Sequence, residues 1–259
     1  MCLIGISWRV NSRFPLVVAA NRDEFRDRPS TALHAWADGS GILAGRDTQA
    51  GGTWMGLTLG GRFAAITNYR EPGRTIADAP TRGLLVTDFL RGEASPLDYL
   101  EAVRARGAKY NGFNLIAGDG RTLAYYGNRD SAVRLLEAGT YGLSNHLLDT
   151  PWPKVRRLKA AISTAPHVSD APLLTDHLQR ALGDSSTAPE VELPDTGVGP
   201  ELECLLSAAF IGGARYGTRA STVLLIDDAG RAHYNERHYL DVELRRLQTT
   251  ITTDVAGWT

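Results

Sequence analysis

A cysteine at the second position, Cys2, is the residue in this chain whose type and place best suit covalent chemistry. The residues that follow it, 3–10, mix apolar and β-branched side chains with polar ones, and residues 16–20 are a short apolar run. Each stretch predicts a β-strand, and residues 11–15 (Asn-Ser-Arg-Phe-Pro) predict the turn between them, because Asn and Ser tolerate turn geometry and Pro fixes φ. The sequence therefore predicts an N-terminal hairpin.

This hairpin would bring the thiol of Cys2 beside a polar cluster. If the turn is centred near Ser12 and Arg13, residues whose numbers sum to about 25 face each other. Cys2 then lies next to Arg22 and Asp23, within the run Asn-Arg-Asp-Glu. The plain structural alternative is that Cys2 is a small buried residue of an edge strand.

The chemistry of such a cluster would be that of an N-terminal nucleophile. Removal of Met1 would leave Cys2 with a free α-amine, whose reference pKa of about 8 suits a general base near neutral pH. A thiol that carries its own base needs no distant histidine. In this hypothesis Arg22 holds the thiolate or a substrate carboxylate, and Asp23 orients the α-amine.

Composition narrows the class of protein. The 259 residues can bury a substantial core, and we expect a single domain over 1–259. The net charge of -1 argues against nucleic acid as a partner. The two cysteines, Cys2 and Cys204, give neither a disulfide framework nor a metal-ligand spacing, so a cytoplasmic location is the expectation. No signal peptide or membrane span is evident.

The rest of the chain is predicted to form further hairpins and helices. Residues 50–57 and 62–69 predict a second hairpin about Gly60 and Gly61, which places Asn68 near Thr53. Helices are predicted at 82–90, 95–106, 149–162 and 169–182, and strands at 113–117, 122–126, just before 142, 221–226 and 231–234. Residues 29–50 and 183–200 are interpreted as loops. Hairpins with helices in consecutive pairs indicate an α+β layered fold.

Several motifs in order give the sequence a close resemblance to the NRDE family, also called the transport and Golgi organisation family. The matching stretches are M-C-L-I at 1–4, A-A-N-R-D-E-F-R-D-R-P at 19–29, G-G-T-W-M-G at 51–56, T-N-Y-R at 67–70, Y-N-G-F-N-L-I at 110–116, Y-Y-G-N-R at 125–129, T-Y-G-L-S-N at 140–145, D-T-P-W-P-K at 149–154 and Y-G-T-R at 216–219. These blocks run through most of the chain.

The resemblance implies a four-layer αββα sandwich of the N-terminal-nucleophile hydrolase type, related to the choloylglycine hydrolase and penicillin acylase group. It implies that Cys2 is the nucleophile, although the local order around Arg22 and Asp23 differs from that group. The resemblance also implies that the side-chain amides of Asn68 and Asn145 help to form the oxyanion hole, because an amide is an uncharged donor. The alternative is that both are ordinary residues at strand ends, where asparagine is common for local reasons. The implied catalytic residues are Cys2, Arg22, Asp23, Asn68, Asn145 and Arg219.

Residues around this cluster are candidates for holding a ligand. The arginines at 22, 26 and 28 suit an anionic head group, or else a salt-bridged loop. His146 suits a pocket border or a structural hydrogen bond, and Trp54 a pocket wall or a packing role. No metal site is expected, because the six histidines show no metal-ligand spacing. The candidate substrate-binding residues are Asn21, Glu24, Arg26, Arg28, Trp54, Tyr69 and His146.

Three functions are compatible with this sequence. The first is an amidohydrolase in which Cys2 attacks a non-peptide amide, with no cofactor required. The second follows from the resemblance, since the family is associated with intracellular handling of haem and acyl lipids: the pocket would bind haem or acyl-CoA without breaking a bond. Any haem would be non-covalent, because no C-x-x-C-H motif is present. The third is a hydrolase fold that serves as a scaffold.

Overall fold

The structure is a computed structural model that describes residues 2–164, 168–240, 243 and 245–258. Met1 and His167, one of the six histidines, lie outside this described part. The expectation that Met1 is removed, and the place of His167 among the histidines, are therefore not addressed by the fold.

Six strands form the first sheet, in the spatial order β10-β1-β2-β11-β12-β13. Every neighbouring pair in it is antiparallel. The strand that starts at the candidate nucleophile is an inner strand, hydrogen-bonded on both sides. The bounds are β1 Cys2–Trp8, β2 Leu16–Phe25, β10 Gly139–Leu143, β11 Tyr216–Ile226, β12 Arg231–Tyr239 and β13 Arg246–Asp254.

Seven strands form the second sheet, which is also antiparallel and follows chain order from β3 to β9. Its register matches the predicted second hairpin, since Leu57 pairs with Phe63 across the Gly60–Gly61 turn. The bounds are β3 Ser30–Ala35, β4 Ile42–Asp47, β5 Met55–Thr58, β6 Phe63–Asn68, β7 Phe113–Gly118, β8 Leu123–Gly127 and β9 Arg134–Leu135.

Helices cover the outer faces of the two sheets. The bounds are α1 Gly83–Arg91, α2 Pro96–Arg106, α3 Pro153–Ser163, α4 Ala171–Leu182 and α5 Pro200–Leu206. The Ser95 and Asp170 side chains accept from backbone N–H groups of the first turns of α2 and α4, and a proline follows each cap. The predicted helix starts at these two sites are therefore confirmed, because cap and proline act locally.

Three apolar clusters make the layers. One lies between the sheets and includes Trp8, Phe63 and Tyr234. A second joins α1 and α2 to the seven-stranded sheet, and a third joins α3 and α4 to the six-stranded sheet. The order helix, sheet, sheet, helix is the predicted αββα sandwich, which is thus confirmed. Within the described ranges, each helix is too short or too polar to cross a lipid bilayer.

The N-terminal hairpin has the predicted partners with small corrections. Cys2 lies opposite Arg22, so paired residue numbers sum to 24 rather than 25. β1 ends at Trp8 instead of residue 10, because Arg9 adopts a positive φ of 53° that breaks the extended backbone. β2 continues five residues beyond the predicted end at Ala20, since its later part pairs with β11.

Four strands are absent from the sequence prediction: β3, β4, the two-residue strand β9 and β13. Residues 29–50, interpreted as a loop, contain β3 and β4, and β13 follows the predicted last hairpin. β3 and β13 are edge strands with mostly partly or fully exposed side chains, so they lack the apolar alternation that marks a half-buried strand. These strands form because they pair with a neighbouring strand, and the local sequence pattern does not show this long-range interaction.

The end of the described chain closes the space between the sheets. The Trp258 indole donates to the Gly61 carbonyl at 2.7 Å and packs edge-on against Trp8, with the ring centroids 5.7 Å apart. Gly61 has a φ of +80°, and a β-carbon there would lie 1.9 Å from the Ala256 carbonyl oxygen. The hairpin turn therefore needs glycine both for its backbone conformation and for this close approach.

Replacement of Gly61 by alanine tests this closure. We expect Gly61→Ala to lower the free energy of unfolding by about 2–4 kcal/mol, the sum of the cost of a left-handed alanine and of overpacking. Gly73→Ala is the matched control, because its φ of +77° is similar but a β-carbon there meets no described atom within 4 Å. Denaturant titration of both variants measures the difference, and equal losses would contradict the packing role of Gly61.

Candidate active site

A cavity of about 110 Å³ opens beside Cys2, where the ends of several strands and the start of α1 meet. Both sheets contribute to its wall. Ten of the residues that line it are charged or titratable. The lining residues of this kind are Cys2, Arg22, Asp23, Glu24, Arg28, Arg46, Asp47, Arg82, Glu236 and His238.

A short chain of hydrogen bonds connects Cys2 through Ser144 to the second sheet. Cys2 is only 7% exposed, and its carbonyl accepts from the Ser144 hydroxyl at 2.9 Å. The Ser144 carbonyl in turn accepts from the Thr67 hydroxyl at 2.6 Å, which links β10 to β6. Burial raises the pKa of the Cys2 thiol, and the negative charge of Asp23 raises it further. The thiol is therefore protonated at neutral pH unless a base acts on it.

Arg22 shares a sheet face with Cys2, because the two residues are directly opposite in an antiparallel pair. It is 8% exposed. One guanidinium nitrogen lies 3.9 Å from a Glu24 carboxylate oxygen and 3.7 Å from one of Asp47, which is too far for a hydrogen bond. Its other terminal nitrogen, Nη1, is buried and makes no hydrogen bond within the described structure.

Asp23 points to the opposite face of β2, towards α3. It is almost fully buried, and its carboxylate accepts from the Thr218 hydroxyl at 2.8 Å. Burial raises the pKa of the Asp23 carboxyl, and the nearby positive charge of Lys154 opposes that rise. The two predicted partners of the nucleophile therefore lie on opposite faces of the sheet: Arg22 on the face that carries the thiol and Asp23 on the helix side.

Lys154 is a site residue that the sequence analysis missed as a functional group. It lies in the first turn of α3, is 1% exposed, and its Nζ has no hydrogen-bond partner among the residues described. Burial lowers its pKa to about 8, against the opposing effect of Asp23. The D-T-P-W-P-K motif contained the signal, since the chain has only three lysines and this one falls on the buried side of a helix start.

The two predicted oxyanion-hole amides take different places. Asn68 ends β6 and lines the cavity. Asn145 is fully buried, its side-chain amide donates to the Asn68 carbonyl at 2.9 Å, and it does not line the cavity. The structure therefore brings Asn68 to the nucleophile and uses Asn145 to fix the backbone of Asn68.

Arg219 lies near the nucleophile in the sheet but is engaged elsewhere. It sits at a bulge in β11, where the pairing with β2 shifts between Thr218 and Ala220. One of its guanidinium nitrogens, Nη1, donates to the carbonyls of Phe25, Arg26 and Arg28 at 2.9, 2.9 and 3.1 Å. Arg219 is not part of the cavity lining. Its observed contacts fix the turn that follows β2.

The candidate substrate-binding residues divide into two groups. Glu24, Arg28 and Trp54 line the cavity, and Arg28 donates to Asp47 at 2.6 Å. The other four lie outside the lining. Asn21 bonds to Leu182, Ala209 and Ser221; Arg26 bonds to Gly213; Tyr69 packs on the His146 ring at 4.9 Å; and His146 bonds to Thr150.

Five further charged or titratable lining residues were not identified from the sequence: Arg46, Asp47, Arg82, Glu236 and His238. They come from β4, the start of α1 and β12, and no motif connects them to Cys2. Burial lowers the pKa of His238 to about 4, so this imidazole is neutral at neutral pH. Glu236 is held by the Leu33 N–H at 2.7 Å and by the Thr222 hydroxyl at 3.2 Å. Only tertiary packing assembles this wall.

Comparison with known proteins assigns this chain to a family. The family model described as Transport and Golgi organisation 2 matches residues 1–241. The mouse protein "Transport and Golgi organization 2 homolog" is 41% identical over 252 residues, and the human homolog is 40% identical over 252 residues. Each alignment covers 91% of this chain and 91% of the relative.

A solved structure supports the fold assignment independently. The N-acylethanolamine-hydrolyzing acid amidase ortholog of Caenorhabditis elegans superposes with a TM-score of 0.51. The alignment covers 86% of this chain and 92% of the amidase, at 12% sequence identity. This likeness shows a shared N-terminal-nucleophile hydrolase fold.

Because Lys154 is buried, we expect the free energy of unfolding to change with pH in the alkaline range. Because Lys154 has a pKa of about 8 when folded and 10.5 as a free side chain, the unfolded chain binds a proton in that window that the folded chain does not. The unfolding free energy therefore rises from pH 8 to pH 10.5, by about 3 kcal/mol from this group. We expect Lys154→Met to lose this rise.

Urea unfolding at pH 8 and pH 10 measures the effect as a difference between variant and wild type. Lys159→Met on the same helix is the control, because that lysine is partly exposed and paired with Asp149 at 2.6 Å. A pH dependence in Lys154→Met equal to that of wild type would contradict the assignment.

Proposed function

This chain belongs to the Transport and Golgi organisation 2 family, and we propose that it is an N-terminal-nucleophile amidohydrolase in which Cys2 cleaves a non-peptide amide. The observation that carries the proposal is the place of the thiol. Cys2 begins an inner strand and borders a cavity whose wall includes Arg22, Asp23 and Asn68. A cysteine with only a packing role does not require a charged, concave surface beside it.

The first step would be activation of the thiol. Because burial raises the pKa of Cys2, the thiol needs a base at neutral pH, and its own α-amine is the base that lies within reach once Cys2 is the first residue. The amine takes the thiol proton and the sulfur attacks the amide carbonyl. Collapse of the tetrahedral intermediate breaks the C–N bond, and the α-ammonium returns the proton to the leaving amine. A thioester remains on Cys2.

The second step would be hydrolysis of that thioester. The α-amine takes a proton from water, the resulting hydroxide attacks the thioester carbonyl, and the departing thiolate is reprotonated. The acyl group leaves as a carboxylic acid. The Asn68 amide is the candidate donor to the oxyanion of both intermediates, and Asn145 positions it through the 2.9 Å bond to its carbonyl.

Asp23 and Lys154 would serve the α-amine rather than the substrate. Asp23 lies beside the chain start on the helix side of the sheet, where a carboxylate can orient an ammonium group. Lys154 opposes the rise in the pKa of Asp23 that burial causes, and so favours the ionised carboxylate. In this arrangement Arg22 remains on the thiol side, available to a substrate or to the thiolate.

A second candidate function keeps the cavity but omits bond cleavage. The arginines at 22, 28, 46 and 82 in the lining favour an anionic ligand, and the propionates of haem or the phosphates of acyl-CoA are such groups. In this alternative the protein would bind and deliver haem, non-covalently, or acyl-CoA within the cell. The cavity residues would then select the ligand by charge, and Cys2 would be dispensable.

Replacement of the nucleophile separates the two functions. We expect Cys2→Ala to lower turnover of N-acyl amides by about 10³-fold or more, because the covalent step is lost, with a small change in the unfolding free energy. Cys204→Ala in α5 is the control and should retain turnover. Release of the amine from a panel of N-acyl amides is the measurement, and an unchanged rate in Cys2→Ala would contradict the proposal.

The binding alternative makes its own prediction. If it is correct, titration of haem shifts the Soret band and saturates at a fixed stoichiometry, or acyl-CoA binds in calorimetry, equally in wild type and Cys2→Ala. The hydrolase proposal expects neither haem saturation nor Cys2-independent function. An absence of amide turnover together with saturable haem or acyl-CoA binding would replace the first proposal by the second.

A further inference from the structure

Arg22 offers the cavity a buried donor that the protein itself does not use. The residue is 8% exposed, and its Nη1 makes no hydrogen bond to any described residue. The carboxylates of Glu24 and Asp47 remain 3.9 and 3.7 Å from its other terminal nitrogen. Arg70, another buried arginine, does pair closely with a carboxylate, at 2.6 Å from Glu203, although its Nε and Nη2 also lack a hydrogen-bond partner among the described residues. The open donor of Arg22 belongs to a residue that lines the cavity.

Arg82 supplies a second guanidinium on the same cavity. It immediately precedes α1, and one of its nitrogens is anchored by donation to the Gly112 carbonyl at 2.9 Å. Within the described part of the chain no carboxylate oxygen lies within 4.0 Å of it. Burial lowers the pKa of Arg82, and the negative charges of Cys2 and then Glu24 oppose this shift most strongly. Arg82 therefore lies on the nucleophile side of the wall.

The start of α1 adds a third positive element. Thr81, Arg82 and Gly83 all line the cavity. The helix has no side chain that caps its N-terminus and no acidic residue in its first turn. The N–H groups of Leu84 and Leu85 donate to the Thr81 and Arg82 carbonyls at 3.3 and 3.0 Å, so what the start of α1 adds beside the two guanidinium groups is the positive end of its dipole, which stabilises an anion.

Two of the four carboxylates of the wall, those of Asp47 and Glu236, accept hydrogen bonds from the protein on both oxygens. Asp47 accepts from Arg28 at 2.6 Å and from the N–H groups of Gln49 and Ala50 at 3.1 and 2.9 Å. Both oxygens of Glu236 also accept bonds. These two carboxylates therefore leave little acceptor capacity for a ligand, whereas Nη1 of Arg22 is a free donor within the described structure.

From these contacts we infer an anion-binding subsite beside Cys2, formed by Arg22, Arg82 and the N-terminus of α1. The substrate of this site is an amide that carries a carboxylate, phosphate or sulfonate close to its scissile carbonyl. The inference rests on the proposed function for the amide, whereas the subsite itself depends only on the cavity. A neutral long-chain amide would leave Nη1 of Arg22 buried without a hydrogen-bond partner, which is unfavourable.

Two alkylating reagents of nearly the same size test the subsite. Iodoacetate is an anion and iodoacetamide is neutral, so the ratio of their rates at Cys2 reports a positive site next to the sulfur. We expect Arg82→Gln to lower the iodoacetate-to-iodoacetamide ratio about tenfold, because a charged hydrogen bond is lost, with little change in the iodoacetamide rate. Arg91→Gln, at the other end of α1, should leave the ratio unchanged. Peptide mass mapping separates Cys2 from Cys204.

Titration of inorganic phosphate, followed by ³¹P line broadening, tests the same subsite without any reaction at sulfur. We expect saturable binding to wild type and to Arg91→Gln, and its loss in Arg82→Gln. An unchanged alkylation ratio in Arg82→Gln, or no saturable phosphate binding to wild type, would overturn the subsite. If Cys2 reacts with neither reagent while phosphate binds, the nucleophile proposal fails and the subsite stands.

Discussion

Backbone pairing of β1 on both of its edges is the constraint on which the site depends. Chain termini usually fray, whereas here the first described residue, Cys2, enters an inner strand between β2 and β10. The pairing with Arg22 and the bond from Ser144 fix the thiol within a charged wall. Because the strand is buried from its first residue, the position of the sulfur is set by the ladder and the core together.

A second constraint is the distribution of charge around that strand. Pleating sends Arg22 to the space between the sheets and Asp23 to the helix side, where Lys154 opposes the effect of burial. The two sides of one strand therefore have separate roles in this account: one side meets the substrate and the other meets the chain start. Burying ions in this way lowers stability unless they are paired, so the arrangement is one that function explains better than folding does.

Local signals account for most of what the sequence predicted. The hairpin turn near residue 12, the caps at Ser95 and Asp170 and the glycines at 60 and 61 act over a few residues, and the elements that they define are present. The αββα arrangement of these elements was predicted from the resemblance to a known family. Edge strands such as β3 and β13 were missed, because exposed side chains carry little periodic signal.

The site was predictable only in part, for a related reason. The neighbours of Cys2 along the hairpin follow from strand register, which is readable from the sequence. Lys154 and Arg82 belong to helix starts far along the chain, and only the packing of α3 and α1 against the sheets brings them near the thiol. Conversely, His146 and Tyr69 are close to Asn68 or Asn145 in sequence but pack on each other outside the cavity wall.

The identity of the first residue in the purified protein tests the central claim most directly, because the α-amine of Cys2 is the base on which the catalytic account depends. Intact-mass spectrometry, supported by sequencing of the N-terminal peptide, measures it. The account predicts a chain that begins at Cys2, lighter than the full sequence by one methionine. A chain that retains Met1 has no free amine on Cys2 and would contradict the account.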